Sequence, residues 1–476
     1  MPLSTLGSAR QGAGQLTPGD SRTAAQLFYS GWALALLYVP SGLMHVLLGK
    51  GVYARDVLLG IHLCACIYWL NRTRRLEAFA RRSWLLLIPG FFLLPAIFND
   101  NYTVEAVTFL KWTVFWLDWI IMGGLALEVI KGWNTAIIIL VAITALLLVA
   151  DLAAGTYERV ADTYIFDTRG EKSSFGVEEG RETKLAHHMR VKGLQRDVFS
   201  YANLMAASCV GGLLVFVSFE PFAARIASLA WTGMFGIGMF LSGGRSAFFG
   251  VFGAGMVAVG LVSVPGIIRR HASRVVLVWL LTALTISLTG IGTLSESIGS
   301  SVMSGSHIGN SNSAYERDAN WTGIIDAIEN NPVVLVSGGP LASLLDPKVD
   351  AIYHWADNQY LWLVYHSGVV GLGAMCLYFA YILKLTPAGD RKWLHDGLVL
   401  YLLFVMGEAM ARESLTFIGC MPLFLFCGCH RDETERDALT AKIKPSSRRA
   451  GKGARALSDA EDFARRVRNA AARRRP

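Results

Sequence analysis

Arg245 interrupts a long apolar run as LSGGRSAFFG (241–250), with Gly243 and Gly244 before it and Ser246 after it. A guanidinium keeps its proton and binds phosphate through paired, charge-assisted hydrogen bonds. Two adjacent glycines allow a tight turn and close backbone approach to a ligand, and Ser246 is a residue type that caps helices. Further cations stand in comparable settings. Arg190, Lys192 and Arg196 lie in HHMRVKGLQRDVFSYANLMAAS, Arg317 in SNSAYERDANW, and Arg412 in GEAMARES. Several guanidinium groups meeting at one membrane surface would suit a pyrophosphate. Each also reads singly as a salt-bridged loop residue: Arg317 stands between Glu316 and Asp318, and Arg412 follows Glu408 by one helical turn.

A carboxylate completes the set. In HWADNQYLWLVYHSGVVGLG (354–373), Asp357 precedes an apolar helix. Such an aspartate most often caps the helix, and spacing alone favours that role; held at a surface, it can also take a proton from a sugar hydroxyl. His354 is a spare candidate base, and Tyr315 and Trp321 are aromatic faces on which a sugar could stack. Lys111 and Asp118 are seven residues apart, hence on one helix face, and read as a structural pair; Glu408 falls inside an apolar segment. The seven cysteines all lie within or at the ends of apolar runs and read as small packing residues, the CGCH cluster at 427–430 included. No metal ligand set and no cofactor is expected.

The elements that must position these residues are membrane helices. Of 476 residues, 53% are hydrophobic and 17% charged, and the mean hydropathy is +0.41, above the range of a soluble globular protein. Runs of about 16–25 apolar residues, each able to cross roughly 30 Å of hydrocarbon, recur along the chain. They predict an all-α polytopic membrane protein of about twelve transmembrane helices, near 27–48, 53–70, 83–98, 107–130, 134–154, 201–219, 226–242, 246–264, 275–293, 358–384, 397–412 and 414–430. No cleavable signal peptide is expected. The connection NRTRRLEAFARR (71–82) carries five arginines and one acid, which places it in the cytoplasm by the positive-inside rule. Alternation then puts the termini (1–26 and 431–476) inside and two large loops (155–200 and 294–357) outside, around a membrane domain spanning 27–430. The 294–357 loop has eight acids against Arg317 and Lys348, whereas the tail has fourteen basic residues against seven acids. That tail reads as a stop anchor touching anionic lipid, and no nucleic-acid partner is expected.

With these segments in place, the chain resembles the O-antigen ligase and O-antigen polymerase superfamily. The run Asp357-Asn358, nine residues, then Gly368-Val-Val-Gly371 is similar to the family signature, in which the ligases have histidine where Asp357 stands. In order, RVKGLQRDVFSYANLMA is similar to the family's Arg-x-x-Gly segment with its downstream Asn. LSGGRSAFF resembles its Ser-x-x-Arg segment, and YERDANWTGIIDAIENNPVVLVSGGP its outer-loop stretch. The resemblance covers about 185–425. It implies a metal-independent, inverting membrane glycosyltransferase of the GT-C type in a bacterial cytoplasmic membrane, with its active site on the external face. The donor would be a glycan linked through pyrophosphate to a polyprenol, the acceptor a glycan hydroxyl, and chain-length regulators or export proteins the implied partners. Arg245 and Arg317 would hold the pyrophosphate, Asp357 would act on the acceptor, and Arg190, Arg196, Arg412, His354 and Asn358 would line the substrate site. The aspartate in place of histidine points to a polymerase rather than a ligase. The rival expectation is a flippase or secondary transporter of a lipid-linked or anionic substrate. A transporter should show internal repeats and interrupted helices, whereas here the polar residues concentrate on one side.

Overall fold

The protein, seen in a computed structural model, is all-helical. The structure describes residues 18–48, 52–76, 79, 103–129, 135–166, 184–185, 188–189, 191–242, 245–288, 323–339, 358–383, 386–387, 392–410 and 418–431. Among them, extended structure is confined to two-residue strands such as β1 (Lys184–Leu185) antiparallel to β2 (His188–Met189). Residues 1–383 with 387–430 form one compact unit, which contains everything discussed below; 384–386 with 431–476 form a second.

The first helices are shaped by one proline. α1 (Pro18–Tyr38) and α2 (Ser41–Leu48) are bent by 84° across Pro40, whose ring has no N–H and whose preceding residue is driven out of helical geometry. The single straight span expected at 27–48 is therefore two helices. α2 begins with orphan backbone donors, and Gly42 N (2.8 Å) and Leu43 N (3.2 Å) give theirs to Leu194 O. Next come α3 (Val52–Arg72), α4 (Thr103–Val129) and α5 (Thr135–Ala161). α6 (Val198–Ser218) and α7 (Phe222–Ser242) pack as a hairpin, and α8 (Arg245–Ser263), α9 (Pro265–Arg270) and α10 (Ala272–Leu288) follow. From the long loop, α11 (323–330) and α12 (Pro332–Ser337) are described; then come α13 (Gln359–Ile382), α14 (Lys392–Glu408) and α15 (Met421–Gly428).

Five of these helices are long and apolar enough to cross a membrane: α4 from Leu110, α5, α6, α7 and α13. The bent α1–α2 pair makes a sixth if it counts as one span, and shorter apolar stretches cover Ala247–Ser263 and Ala272–Thr285. The chain is thus a membrane protein with five to six candidate spans among the described residues. α5 shows the logic plainly, since Ile138, Val141 and Leu146 are large apolar side chains left exposed by the protein, as a lipid-facing surface requires. The segment expected at 53–70 is helical and the one expected at 397–412 is helical through Glu408, but they carry buried charged groups such as Arg55 and Glu408. The span expected at 83–98 lies outside the described residues. Of the one expected at 414–430, the described part begins with a 3-10 turn (Ile418–Cys420) followed by the eight-residue α15. Its apolar residues serve the protein interior: Met421, Leu423 and Cys427 are buried, and the Phe424 ring stacks on Trp116 at 5.2 Å. A segment that only has to reach its neighbours can be short.

α8 packs against both α6 and α14. At the α14 crossing Gly250 faces Gly407, and a Cβ on Gly407 would lie 2.8 Å from the Gly250 Cα. Small residues let membrane helices approach this closely. Near the other end of α14, Asp396 accepts two hydrogen bonds from Arg269 of α9, at 2.6 and 3.0 Å.

Candidate functional site

Four chain segments meet at one end of the bundle. α6 starts on Asp197, whose Oδ1 accepts from Phe199 N (2.9 Å) and Ser200 N (2.7 Å), an N-cap that fixes where the loop ends and the helix begins. One turn and a half into α6, Asn203 Nδ2 donates to Glu408 Oε2 at the last residue of α14; both groups are buried. Beyond Glu408, Ala409 O accepts from Gln359 N (2.8 Å), and Met406 O accepts from the Tyr360 hydroxyl (2.8 Å). The start of α13 is thereby pinned to the end of α14. The start of α8 is held at the same end, because Gly250, five residues past Arg245, lies on Gly407. The N-termini of α6, α8 and α13 thus gather where α14 ends, and each belongs to a segment that carries a candidate residue.

The helix cap at α13 is Asn358, not Asp357. Asn358 is fully buried, and its Oδ1 accepts from Tyr360 N (3.0 Å) and Leu361 N (3.2 Å). The capping expected of Asp357 is done by its neighbour, since the Ncap position falls one residue later than the spacing suggested. Asn358, expected to touch substrate, has this capping task.

The segment 331–339 docks on the middle of α13. Asn331 caps α12 by accepting from Val333 N (3.1 Å), with Pro332 in the first turn. Gly338 has φ +81° and Gly368, inside α13, has φ +62°. A Cβ on Gly338 would strike the His366 carbonyl, and one on Gly368 the Val336 carbonyl. Both need the left-handed region that only glycine enters freely. The two motif segments NNPVVLVSGGP and GVVG are therefore in contact, and α13 kinks where they meet. His366 is buried there, its ring 4.2 Å from that of Trp362.

The loop before α6 is built on two carboxylates. Asp151 and Glu158 are seven residues apart on α5 and fully buried. Glu158 Oε2 accepts from Lys192 N and Gly193 N, both at 2.8 Å, and its Oε1 from Ile165 N at 3.1 Å. Asp151 Oδ1 accepts from Leu194 N (2.7 Å) and its Oδ2 from Gln195 Nε2. Gln195 also donates to Val39 O and accepts from Ser41 Oγ (2.9 Å), and Arg196 N donates to Ser41 Oγ (3.2 Å). The stretch 191–196 is thus held by α5 on one side and the α1–α2 break on the other. Lys192, one of the candidate cations, is buried in the protein and sits 4.8 Å from the Tyr164 ring centre. Arg196 is partly exposed and close enough to Arg55 for the two charges to interact.

Arg55 is a cation that sequence reasoning passed over. It is buried, donates to Leu37 O (2.9 Å) and lies over the Tyr38 ring at 4.9 Å. Lys111 and Asp118 do not pair with each other. Lys111 Nζ meets Asp56 Oδ2 at 2.9 Å, and Asp118 meets His62 Nδ1 at 2.6 Å. Both partners lie on α3, and the His62 and Asp56 signals were in the sequence as ionisable residues inside an apolar run. For Arg245 the structure describes the backbone at the start of α8. Arg190, Arg317, Asp357, Arg412, His354, Tyr315 and Trp321 lie outside the described residues. Comparison with protein-family models, with curated proteins and with solved structures finds no match.

Proposed function

We propose that the protein polymerises or ligates lipid-linked oligosaccharide repeat units at the outer face of a bacterial cytoplasmic membrane, polymerisation being the favoured reaction. The observation that carries this reading is the gathering of the α6, α8 and α13 N-termini at the end of α14. It draws Arg196, the start of α8 and the Asn358 cap, which are far apart in sequence, toward one end of the bundle. In this reading about twelve segments cross or enter the membrane, both termini are cytoplasmic, and loop 294–357 lies over the site. Arg245 and Arg317 hold the pyrophosphate of a polyprenyl donor. The leaving group gains negative charge as the glycosidic bond breaks, and preorganised cations stabilise that charge most where water is scarce. Asp357 takes the proton of the acceptor hydroxyl, whose oxygen attacks the anomeric carbon with inversion while polyprenyl pyrophosphate departs. Because Asn358 supplies the helix cap, a carboxylate beside it serves chemistry at no cost to the helix.

The test is reconstitution in proteoliposomes with a lipid-linked repeat unit, following chain growth and release of polyprenyl pyrophosphate. Arg245→Ala should lower turnover about 100-fold or more, the usual cost of one charge-stabilising group. Asp357→Asn should lower turnover with the unfolding temperature unchanged. Full activity in the folded Arg245→Ala and Arg317→Ala proteins would remove the pyrophosphate assignment. A transporter reading is favoured by one observation, the charged pairs between α3 and α4: the buried His62 and Asp118, and the partly exposed Lys111 and Asp56. It requires movement of the lipid-linked substrate across the vesicle with no new glycosidic bond.

A further inference from the structure

His62 and Cys66 stand one helical turn apart on α3 and face Asp118 of α4; all three are buried, and one donor atom from each lies within 4.8 Å of the others. The hydrogen bonds of the imidazole constrain what sits between them. His62 Nε2 is 2.8 Å from Leu27 O, and a carbonyl can only accept, so Nε2 carries a hydrogen. Nδ1 is 2.6 Å from Asp118 Oδ1. A neutral imidazole would then present a lone pair to a carboxylate lone pair, so the link must contain a cation. A proton satisfies it, as imidazolium and carboxylate.

The third donor shows what else satisfies it. Cys66 Sγ is 3.7 Å from Nε2 and 3.9 Å from Nδ1. Sulfur and nitrogen bound to one tetrahedral Zn2+ are about 3.6 Å apart, given bonds of about 2.3 and 2.05 Å. Sγ stands beside the ring, slightly nearer Nε2, so ligation together with Nδ1 takes a change of the Cys66 rotamer that carries the sulfur out past Nδ1. Bound nitrogen and oxygen would be about 3.3 Å apart, so Asp118 need retreat by only roughly 0.7 Å. The backbone carbonyl on the far ring nitrogen is the usual outer partner of a metal-binding histidine, and it leaves Nδ1 as the ligating atom. Charge balances as well. One divalent ion replaces the Nδ1 proton and the Cys66 thiol proton, and neutral imidazole, thiolate and carboxylate then sum with it to zero. A membrane interior tolerates that sum better than any net charge. Gly31 of α1 makes room for the ring, since a Cβ there would lie 2.6 Å from His62 Cε1.

We propose that His62 Nδ1, Cys66 Sγ and Asp118 form a binding site for a borderline divalent cation of the zinc class, clasping α3 to α4. Binding releases two protons per ion. This stands apart from the glycan-transfer reading and survives its failure.

The experiment uses full-length protein in detergent, stripped with a chelator and titrated with Co2+ and with Zn2+. One equivalent of Co2+ should bind with a thiolate-to-cobalt charge-transfer band in the near ultraviolet. Cys66→Ser should abolish that band, while Cys64→Ser leaves it intact. Zinc K-edge absorption of the wild-type protein should show one sulfur among nitrogen and oxygen neighbours, a readout independent of any variant's folding. A band that persists in Cys66→Ser, or wild-type protein that binds neither ion, would overturn the site.

Discussion

Two groups of carboxylates do different work in this protein. Between α3 and α4, Asp56 and Asp118 meet positive or protonated side chains, Lys111 and His62. On α5, Asp151 and Glu158 are satisfied chiefly by backbone N–H groups of the 191–194 stretch, with Gln195 and Ile165 completing the set. The first arrangement joins one helix to another. The second turns a loop into a fixed part, and that loop leads into α6 with Arg196 at its end. Side-chain partners make a helix clasp, whereas backbone partners fix where a chain segment runs.

Breaking one member of the clasp should have the largest effect. Asp118→Ala leaves the His62 charge buried without its partner and should cost about 3–5 kcal/mol of stability, whereas the His62→Leu, Asp118→Leu double variant should recover most of it. Unfolding in detergent with chelator present checks both, and a double variant as unstable as the single one would break the distinction. Glu158→Ala strands three backbone donors, two of them in one turn of loop. It should cost about 3 kcal/mol, and its signature differs: trypsin should gain access at Lys192 and Arg196 well below the unfolding temperature. Uniform loss of stability without local cleavage would make Glu158 another clasp. The smallest effect belongs to Lys111→Ala, because that pair is about a quarter exposed on each side chain and pairs open to solvent contribute about 1 kcal/mol or less. A shift in the unfolding midpoint as large as that of Asp118→Ala would show Lys111 to be a full member of the clasp.

The helices were largely legible from apolar run length. The segments expected at 201–219, 226–242, 246–264 and 358–384 correspond to α6, α7, α8 and α13 within a few residues. Run length does not tell where apolar residues meet protein, as in α15, or where Pro40 breaks a run that hydropathy alone sees as continuous. Of the candidate site, the Asn-Pro to Gly-Gly segment meets Gly368, with two glycines of positive φ at the junction, a contact that spacing alone does not show. The cap at Asn358 was mislaid by one residue because Asp and Asn cap equally well. Asp151 and Glu158 were missed although their spacing puts them on one face of α5. Their partners are main-chain groups, which leave no mark in a list of side chains.

The sequence by itself determined a helical membrane protein, with basic and acidic connections segregated and a set of cations flanking apolar runs, because composition and run length are local properties. Only the tertiary structure decided which charges meet. Lys111 chose Asp56 over Asp118, Asp118 took His62, Lys192 was buried beside Tyr164, and Asn203 found Glu408 across 205 residues of chain. In a low-dielectric interior a buried charge must be matched by whatever group the packing brings within reach, and packing is a property of the whole bundle.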